Sequence, residues 1–264
     1  MSEDDLVYLK ERSTQPVMRL IMVDYDGTLV PIRDWPAQAD PTIGLRSLLS
    51  AMCKVRRLRL AVISGRSLED LQSMLPIRDL WMAGSHGAEI LPGGKPQPVV
   101  LAGESLRDLF VRLTEDVKTA VGNIPGILVE RKPFALAMHY RAADAESAAI
   151  ARQRFRTAVL GSREGRLLRI SRNKCVLEAI PRSVSKAAAV RYLLETFDLT
   201  PEESMYIGDD RTDEDAFEYL FPGGITVKVA EAPRPTVARF RLRRHVRVLA
   251  LLHHILKQES LRDN

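Results

Sequence analysis

Leu20-Ile21-Met22-Val23 is an unbroken apolar run that stops abruptly at Asp24-Tyr25-Asp26-Gly27-Thr28. A short run without alternation, halted by carboxylates and glycine, predicts a strand buried on both faces of a parallel sheet. A helical repeat of apolar positions follows from about Thr42 to Lys54, and Leu58–Ile63 reads as a second strand stopped by Ser64-Gly65-Arg66. Ser67, with Asp70 three residues on, resembles a capping box opening a helix through Met74. Strand, helix, strand, helix is the order of a doubly wound, Rossmann-like α/β fold.

The pattern changes near residue 102. Glu104–Val121 is helical, Ile127–Arg131 and Phe134–Arg141 form strands joined through Lys132-Pro133, and Ala145–Val159 is a second helix. Leu167–Ser171 and Lys174–Ile180 then read as a hairpin turning at Arg172-Asn173. Helix, hairpin, helix, hairpin is α+β order, so residues 102–181 are expected to be a small domain inserted into a core of 1–101 and 182–264. The α/β order resumes with a Ser185-capped helix through Phe197, a turn at Thr200–Glu203, and the buried strand Met205–Gly208 ending in Asp209 and Asp210. Thr212 with Asp215 is expected to cap the next helix. Ile225–Val229 is expected to be the last strand, followed by a helix from about Val246 to Lys257.

Composition narrows the picture modestly. Hydrophobic residues make up 45% and charged residues 28% of 264, the profile of an ordinary globular protein. A formal charge of +5 favours an anionic small molecule. The two cysteines, Cys53 in a helix and Cys175 in a strand, read as small buried apolar residues rather than a disulfide or metal pair. Glu3, Asp4, Asp5, Lys10, Glu11 and Arg12 argue against a signal peptide, and no apolar run approaches the ~20 residues of a membrane span. A cytoplasmic, monomeric protein is the expectation. Five arginines in Arg239–Arg247 read as a solvated basic face; a nucleic-acid partner, resting on them alone, ranks last.

The chemistry gathers at strand ends. In a doubly wound sheet the carboxyl ends of the strands share one crevice, which collects Asp24, Asp26, Ser64, Asp209 and Asp213. Such carboxylates repel one another unless a cation is present, and oxygen-only ligation suits Mg²⁺. A carboxylate can attack phosphorus and divide hydrolysis into two displacements, while Asp26, on the same side of the extended chain, can exchange the protons.

Asp24-Tyr25-Asp26-Gly27-Thr28-Leu29 resembles the first motif of the haloacid dehalogenase superfamily of phosphohydrolases. Ser64 resembles the second motif, Lys186 the third, and Gly208-Asp209-Asp210 with Asp213 the fourth, all in the required order. The resemblance implies Asp24 as nucleophile, Asp26 as general acid/base, and Ser64 and Lys186 as ligands of the transferring phosphoryl group. It further implies Mg²⁺ held by the Asp24 side chain, the Asp26 carbonyl and Asp209, with Asp213 in support.

Three further segments, Ser64–Leu71, Ala83–Ile90 and Gly208–Phe217, resemble trehalose-6-phosphate phosphatases. In that family the insertion is a mobile cap that recognises the sugar. Glu130-Arg131-Lys132, Ala137–Arg141 and Val176-Leu177-Glu178 are similar to its cap motifs, which implies sugar contacts by Glu130, Lys132, Glu178 and Arg141. Gly65, Arg66 and His86 are expected to face the substrate from the core. The sequence departs from the family at Asn173, where glycine is usual, and at Ala179-Ile180-Pro181, where Ile-Arg-Pro is usual. The resemblance implies a Mg²⁺-dependent hydrolase of trehalose 6-phosphate acting through an aspartyl-phosphate. The alternatives are a related phosphatase, such as one for sucrose phosphate, and a non-catalytic sugar-phosphate sensor.

Overall fold

A computed structural model describes residues 5–13, 18–32, 39–101, 105–173 and 175–262. Trp35, which the sequence suggests for packing, and Lys174 lie outside them. The elements run α1 (Leu6–Ser13), β1 (Leu20–Val23), α2 (Ile43–Cys53), β2 (Arg59–Ile63), α3 (Leu68–Met74), β3 (Trp81–Gly84), β4 (Glu89–Leu91) and β5 (Val99–Val100). There follow α4 (Ser105–Val121), β6 (Leu128–Lys132), β7 (Ala135–His139), α5 (Ala145–Gly161), β8 (Leu168–Asn173) and β9 (Val176–Pro181). The chain continues through α6 (Lys186–Phe197), β10 (Ser204–Gly208), α7 (Glu214–Leu220), β11 (Ile225–Val229), β12 (Phe240–Leu242) and α8 (His245–Arg262).

Contacts divide the chain into two compact units, Met1–Val99 with Ser185–Asn264, and Val100–Val184. The first carries a sheet in the order β12-β11-β10-β1-β2-β3-β4-β5. Its strands pair in parallel from β12 to β3, and β4 is antiparallel to β3. All four residues of β1 are buried, as the apolar run requires, and each such side chain contributes roughly 1.5–3 kcal/mol. Registers of Val23 with Ile207 and with Val62 bring the carboxyl ends of β1, β10 and β2 level with one another. Asp24 N donates to Ile207 O at 2.9 Å and Ser64 N to Ala83 O at 2.9 Å, so each polar residue leaves the sheet at the same edge.

Local chemistry explains the helix starts. Ser67 accepts from Asp70 N at 3.1 Å and Ser185 from Ala188 N at 3.2 Å, satisfying amides that a first turn leaves open. Ahead of α7 the expected Thr212–Asp215 cap is replaced by a 3₁₀ turn, Arg211–Asp213, capped by Asp210. Ile225–Val229 is not the last strand, because β12 pairs parallel to β11 beyond it. Part of the basic segment is therefore structural: Arg241 N donates to Asp5 Oδ2 at 2.8 Å, Arg241 is buried, and Arg239 lies over the Phe240 ring.

In the second unit a four-stranded antiparallel sheet, β6-β7-β9-β8, packs one face on α4 and α5. Phe110, Leu113, Leu136, Met138, Phe155 and Leu177 form that core. The β8–β9 hairpin turns later than expected: Asn173 pairs with Val176, and Cys175 sits in the turn with φ 57° instead of in a strand. Cys53 and Cys175 are both free and half-buried, less enclosed than the sequence suggested. No helix among the described residues is long and apolar enough to cross a membrane.

Candidate active site

Lys186 opens α6 almost fully buried, with 2% of its side chain exposed. Its Nζ donates to Asp24 Oδ1 at 2.6 Å and to Asp213 Oδ1 at 2.6 Å. Asp213 accepts as well from Tyr206 Oη at 2.7 Å on Oδ1, and from Asp210 N at 2.8 Å on Oδ2. Both Asp213 oxygens are thus engaged in holding Lys186, Tyr206 and the acid-bearing loop. Tyr206 was not singled out in the sequence; its signal is a phenol inside an apolar strand, which must find a polar partner when buried.

Gly27 brings Asp209 against the loop that carries Asp24 and Asp26. Its φ of +84° is the left-handed region, and a Cβ there would fall on the Asp209 carboxylate. Oxygens of Asp24, Asp209 and Asp213 lie within 4.8 Å of one another, and buried Asp209 Oδ1 has no hydrogen-bond partner. Burial pushes the Asp24 carboxyl well above its ordinary range; Lys186 opposes the shift, and Asp213 and Asp209 add to it. Burial, then the charges of Asp213 and Asp210, raises Asp209 to about 7. Burial works against the Lys186 ammonium, but Asp213 and Asp24 outweigh it and hold that group well above its usual value. Three carboxylates share one ammonium. An orphaned buried oxygen among hard donors fits a divalent cation, and Asp24 and Asp209 are the side chains placed to hold it.

Asp26 is met by Arg66. The guanidinium Nε reaches Asp26 Oδ2 at 2.6 Å and Nη2 reaches Oδ1 at 2.7 Å, while its plane lies 5.3 Å from the Tyr25 ring centre. Arg66, expected to face the substrate, has its fork occupied by the expected acid/base, and a spacing of 40 residues gave no sign of that pairing. Ser64 is buried, and its Oγ accepts from Arg66 N at 3.2 Å. His86 is buried in a turn where it and Ser85 take φ of 59° and 50°. Gly65 admits the His86 ring, since a Cβ at Gly65 would stand 2.8 Å from Nε2.

Lys228 on β11 is a further residue the sequence reading missed. Its Nζ donates to Asp210 O at 2.8 Å and to Glu214 Oε1 at 2.9 Å. Glu214 Oε2 in turn accepts from Thr236 Oγ1 and Val237 N, both at 3.0 Å. A lysine inside Ile-Thr-Val-Lys-Val was the available signal, because a buried lysine is almost always paired. Lys228→Met is expected to destabilise the protein by about 2 kcal/mol in urea unfolding, since Glu214 and the Asp210 carbonyl lose a shared donor. An unchanged midpoint would remove Lys228 from the support of this loop.

The second unit groups the expected sugar contacts on its own sheet. Glu130 pairs across β6–β7 with Ala137, which pairs across β7–β9 with Glu178, so the two carboxylates flank a small residue on one face. Lys132 Nζ donates to Glu178 Oε1 at 2.7 Å, and His139 Nε2 lies 2.7 Å from Glu130 Oε2. Hydrogen bonding to His139 draws the Glu130 carboxyl below its ordinary range. His139 stood in a quoted motif yet was not singled out. Arg141 lies past the end of β7 in an exposed turn.

A largely parallel sheet with an aspartate pair after its central strand, a lysine opening a later helix, further acids after a third strand and an α+β unit inserted in sequence defines the haloacid dehalogenase fold. The chain belongs to the trehalose-phosphatase family, whose model it matches over residues 22–245. It is 34% identical to the bifunctional trehalose-6-phosphate synthase/phosphatase of Thermoproteus tenax, over 92% of this chain and 32% of that protein. It is 32% identical to the trehalose-phosphate phosphatase of Mycobacterium marinum, over 91% of this chain and 62% of that protein. This chain therefore spans less than two thirds of either relative. The trehalose-6-phosphate phosphatase C-terminal domain of C. albicans superposes with a TM-score of 0.82 at 25% identity, covering 96% of this chain and 97% of that one.

Proposed function

We propose that the protein hydrolyses trehalose 6-phosphate to trehalose and phosphate through a phosphoryl group carried on Asp24, with Mg²⁺ as cofactor. The observation that carries the reading is Lys186 buried between Asp24 and Asp213, beside the partnerless oxygen of Asp209. Asp24 attacks phosphorus and the bond from phosphorus to the sugar oxygen breaks, with Asp26 giving that oxygen its proton. Water then attacks the aspartyl-phosphate, its proton passes to Asp26, and the Asp24 carboxylate is released. The Arg66 fork occupies both Asp26 oxygens, so Arg66 must let go before Asp26 can reach the leaving oxygen. Lys186 neutralises Asp24 and the phosphoryl oxygens, and Ser64 donates a hydrogen bond to the same group. Mg²⁺, held by Asp24, Asp209 and the Asp26 carbonyl, supplies positive charge against the phosphoryl oxygens when bound. Asp213 acts through Lys186.

Family membership supports the disaccharide, and so does the charged ladder of Glu130, Lys132 and Glu178, whose hydrogen-bonding groups suit a ligand with many hydroxyls. In this reading residues 102–181 are a cap domain inserted into a phosphatase core. Phosphate release from trehalose 6-phosphate, sucrose 6-phosphate and glucose 6-phosphate, each with Mg²⁺ and with EDTA, tests it. Turnover of trehalose 6-phosphate alone, lost in EDTA, is expected. Preference for another ester would discard the substrate, and absence of any turnover would leave a sugar-phosphate sensor.

A further inference from the structure

The sheet-bearing unit carries a second concave site, at the opposite edge of the sheet from the carboxylates. A cavity of about 420 Å³ is lined by Arg19, Arg56, Arg57, Arg59, Arg262 and Glu259, with Phe197 in its wall. Arg19 immediately precedes β1 and Arg59 is the first residue of β2, whereas Asp24 and Ser64 follow the last residues of those strands. At ~3.3 Å per strand residue the two edges are about 15 Å apart.

The charge there is poorly balanced. Arg262 is paired with Glu259 at 2.6 Å, and Arg19 meets Glu203 only at 3.4 Å. Arg59 donates to carbonyls alone, Arg56 O at 3.0 Å and Leu58 O at 3.4 Å. Arg56 and Arg57 are exposed and have no acidic partner among the described residues. Five guanidinium groups thus face two carboxylates. The backbone beneath them is rigid: Arg19 N donates to Glu203 O at 2.9 Å, and Arg59 N to Arg19 O at 2.7 Å. Like charges gathered on fixed strand starts raise the local positive potential, and guanidinium forks match phosphate oxygens in pairs.

We propose that this cavity binds a small anion bearing two or more linked phosphates. One phosphate is too small for a space of this size and too weakly charged for a surplus of three guanidinium groups. The Phe197 ring already has the Arg59 guanidinium 5.8 Å from its centre and an edge-on contact with Trp81 at 4.8 Å, and both compete with a stacking base. Recognition is therefore directed at the phosphates, whether free or carried by a nucleotide.

Calorimetric titration of the full chain in EDTA with pyrophosphate, ATP and inorganic phosphate tests the proposal. Pyrophosphate and ATP are expected to bind with similar affinity and phosphate at least about tenfold more weakly. R56E/R57E is expected to weaken both by about tenfold or more, while R163E/R166E, which reverses two exposed arginines of the other unit, changes them less than about twofold. Both variants alter exposed side chains, and circular dichroism melts confirm that each is folded. Absence of binding, binding retained in R56E/R57E, equal losses in the two variants, or binding of ATP without pyrophosphate would each overturn the proposal.

Discussion

Asp24→Asn is expected to lower phosphate release from trehalose 6-phosphate by about 10⁴-fold or more while leaving the fold intact. The amide keeps the shape of the side chain but cannot form the phosphoryl bond. Stability should not fall in the absence of metal. Asp24 is a buried carboxylate whose charged form is disfavoured by burial and by Asp213 and Asp209, so removing the charge relieves repulsion. Lys186 retains Asp213 at 2.6 Å as its partner. Phosphate release and urea unfolding in EDTA measure the two halves. Near-normal turnover would move the nucleophile elsewhere, and a large loss of stability would show that Asp24 serves the fold as much as the chemistry.

Lys186→Met is expected to cost both. Removing the ammonium strands Asp24 and Asp213 in the interior, and breaking a buried ion pair in this way typically costs about 3–5 kcal/mol. Turnover should fall by about 10³-fold, because the phosphoryl charge loses a buried cation. The double variant Lys186→Met/Asp213→Asn should recover about 1–2 kcal/mol of the stability and none of the turnover. That split separates the structural share of Lys186 from its share in the chemistry. A single variant as stable as the parent would mean that the Asp24–Lys186–Asp213 bridge does not hold the interior together.

The edge that gathers the carboxylates was legible where the chain announces it locally. Leu20–Val23 and Met205–Gly208 are apolar runs cut off by acids, and a strand end is the one place where burial and a carboxylate meet within a single residue step. Ser185 before Lys186 marked a helix start by the same short-range logic. What stayed hidden depends on partners far away in sequence. Arg66 is expected to face the substrate, and its pairing with Asp26 is invisible until β2 lies beside β1, while Tyr206 and Lys228 read as strand residues until Asp213 and Glu214 approach them. β12 has three residues in a basic stretch, too short for a periodicity to register, and it is tied down by Asp5, 236 positions distant. At the β8–β9 hairpin, Arg172-Asn173 carries ordinary turn chemistry, yet the pairing of Asn173 with Val176 continues the ladder through it. Propensity yields there to the pairing.

The discontinuity of the sheet-bearing unit bears on how the protein is made. β1 is flanked by β2, some 40 residues downstream, and by β10, some 180 residues downstream, with the whole of Val100–Val184 between them in the chain. On a ribosome the second unit, whose strands pair only among themselves, is complete before Lys186 has been added. Asp24 must wait 162 residues for its counter-charge, and until then the β1 edge that β10 will cover is an unpaired apolar strand. The nascent chain is most exposed to misassociation during that interval, and the return from Ser185 onward both closes the sheet and neutralises Asp24.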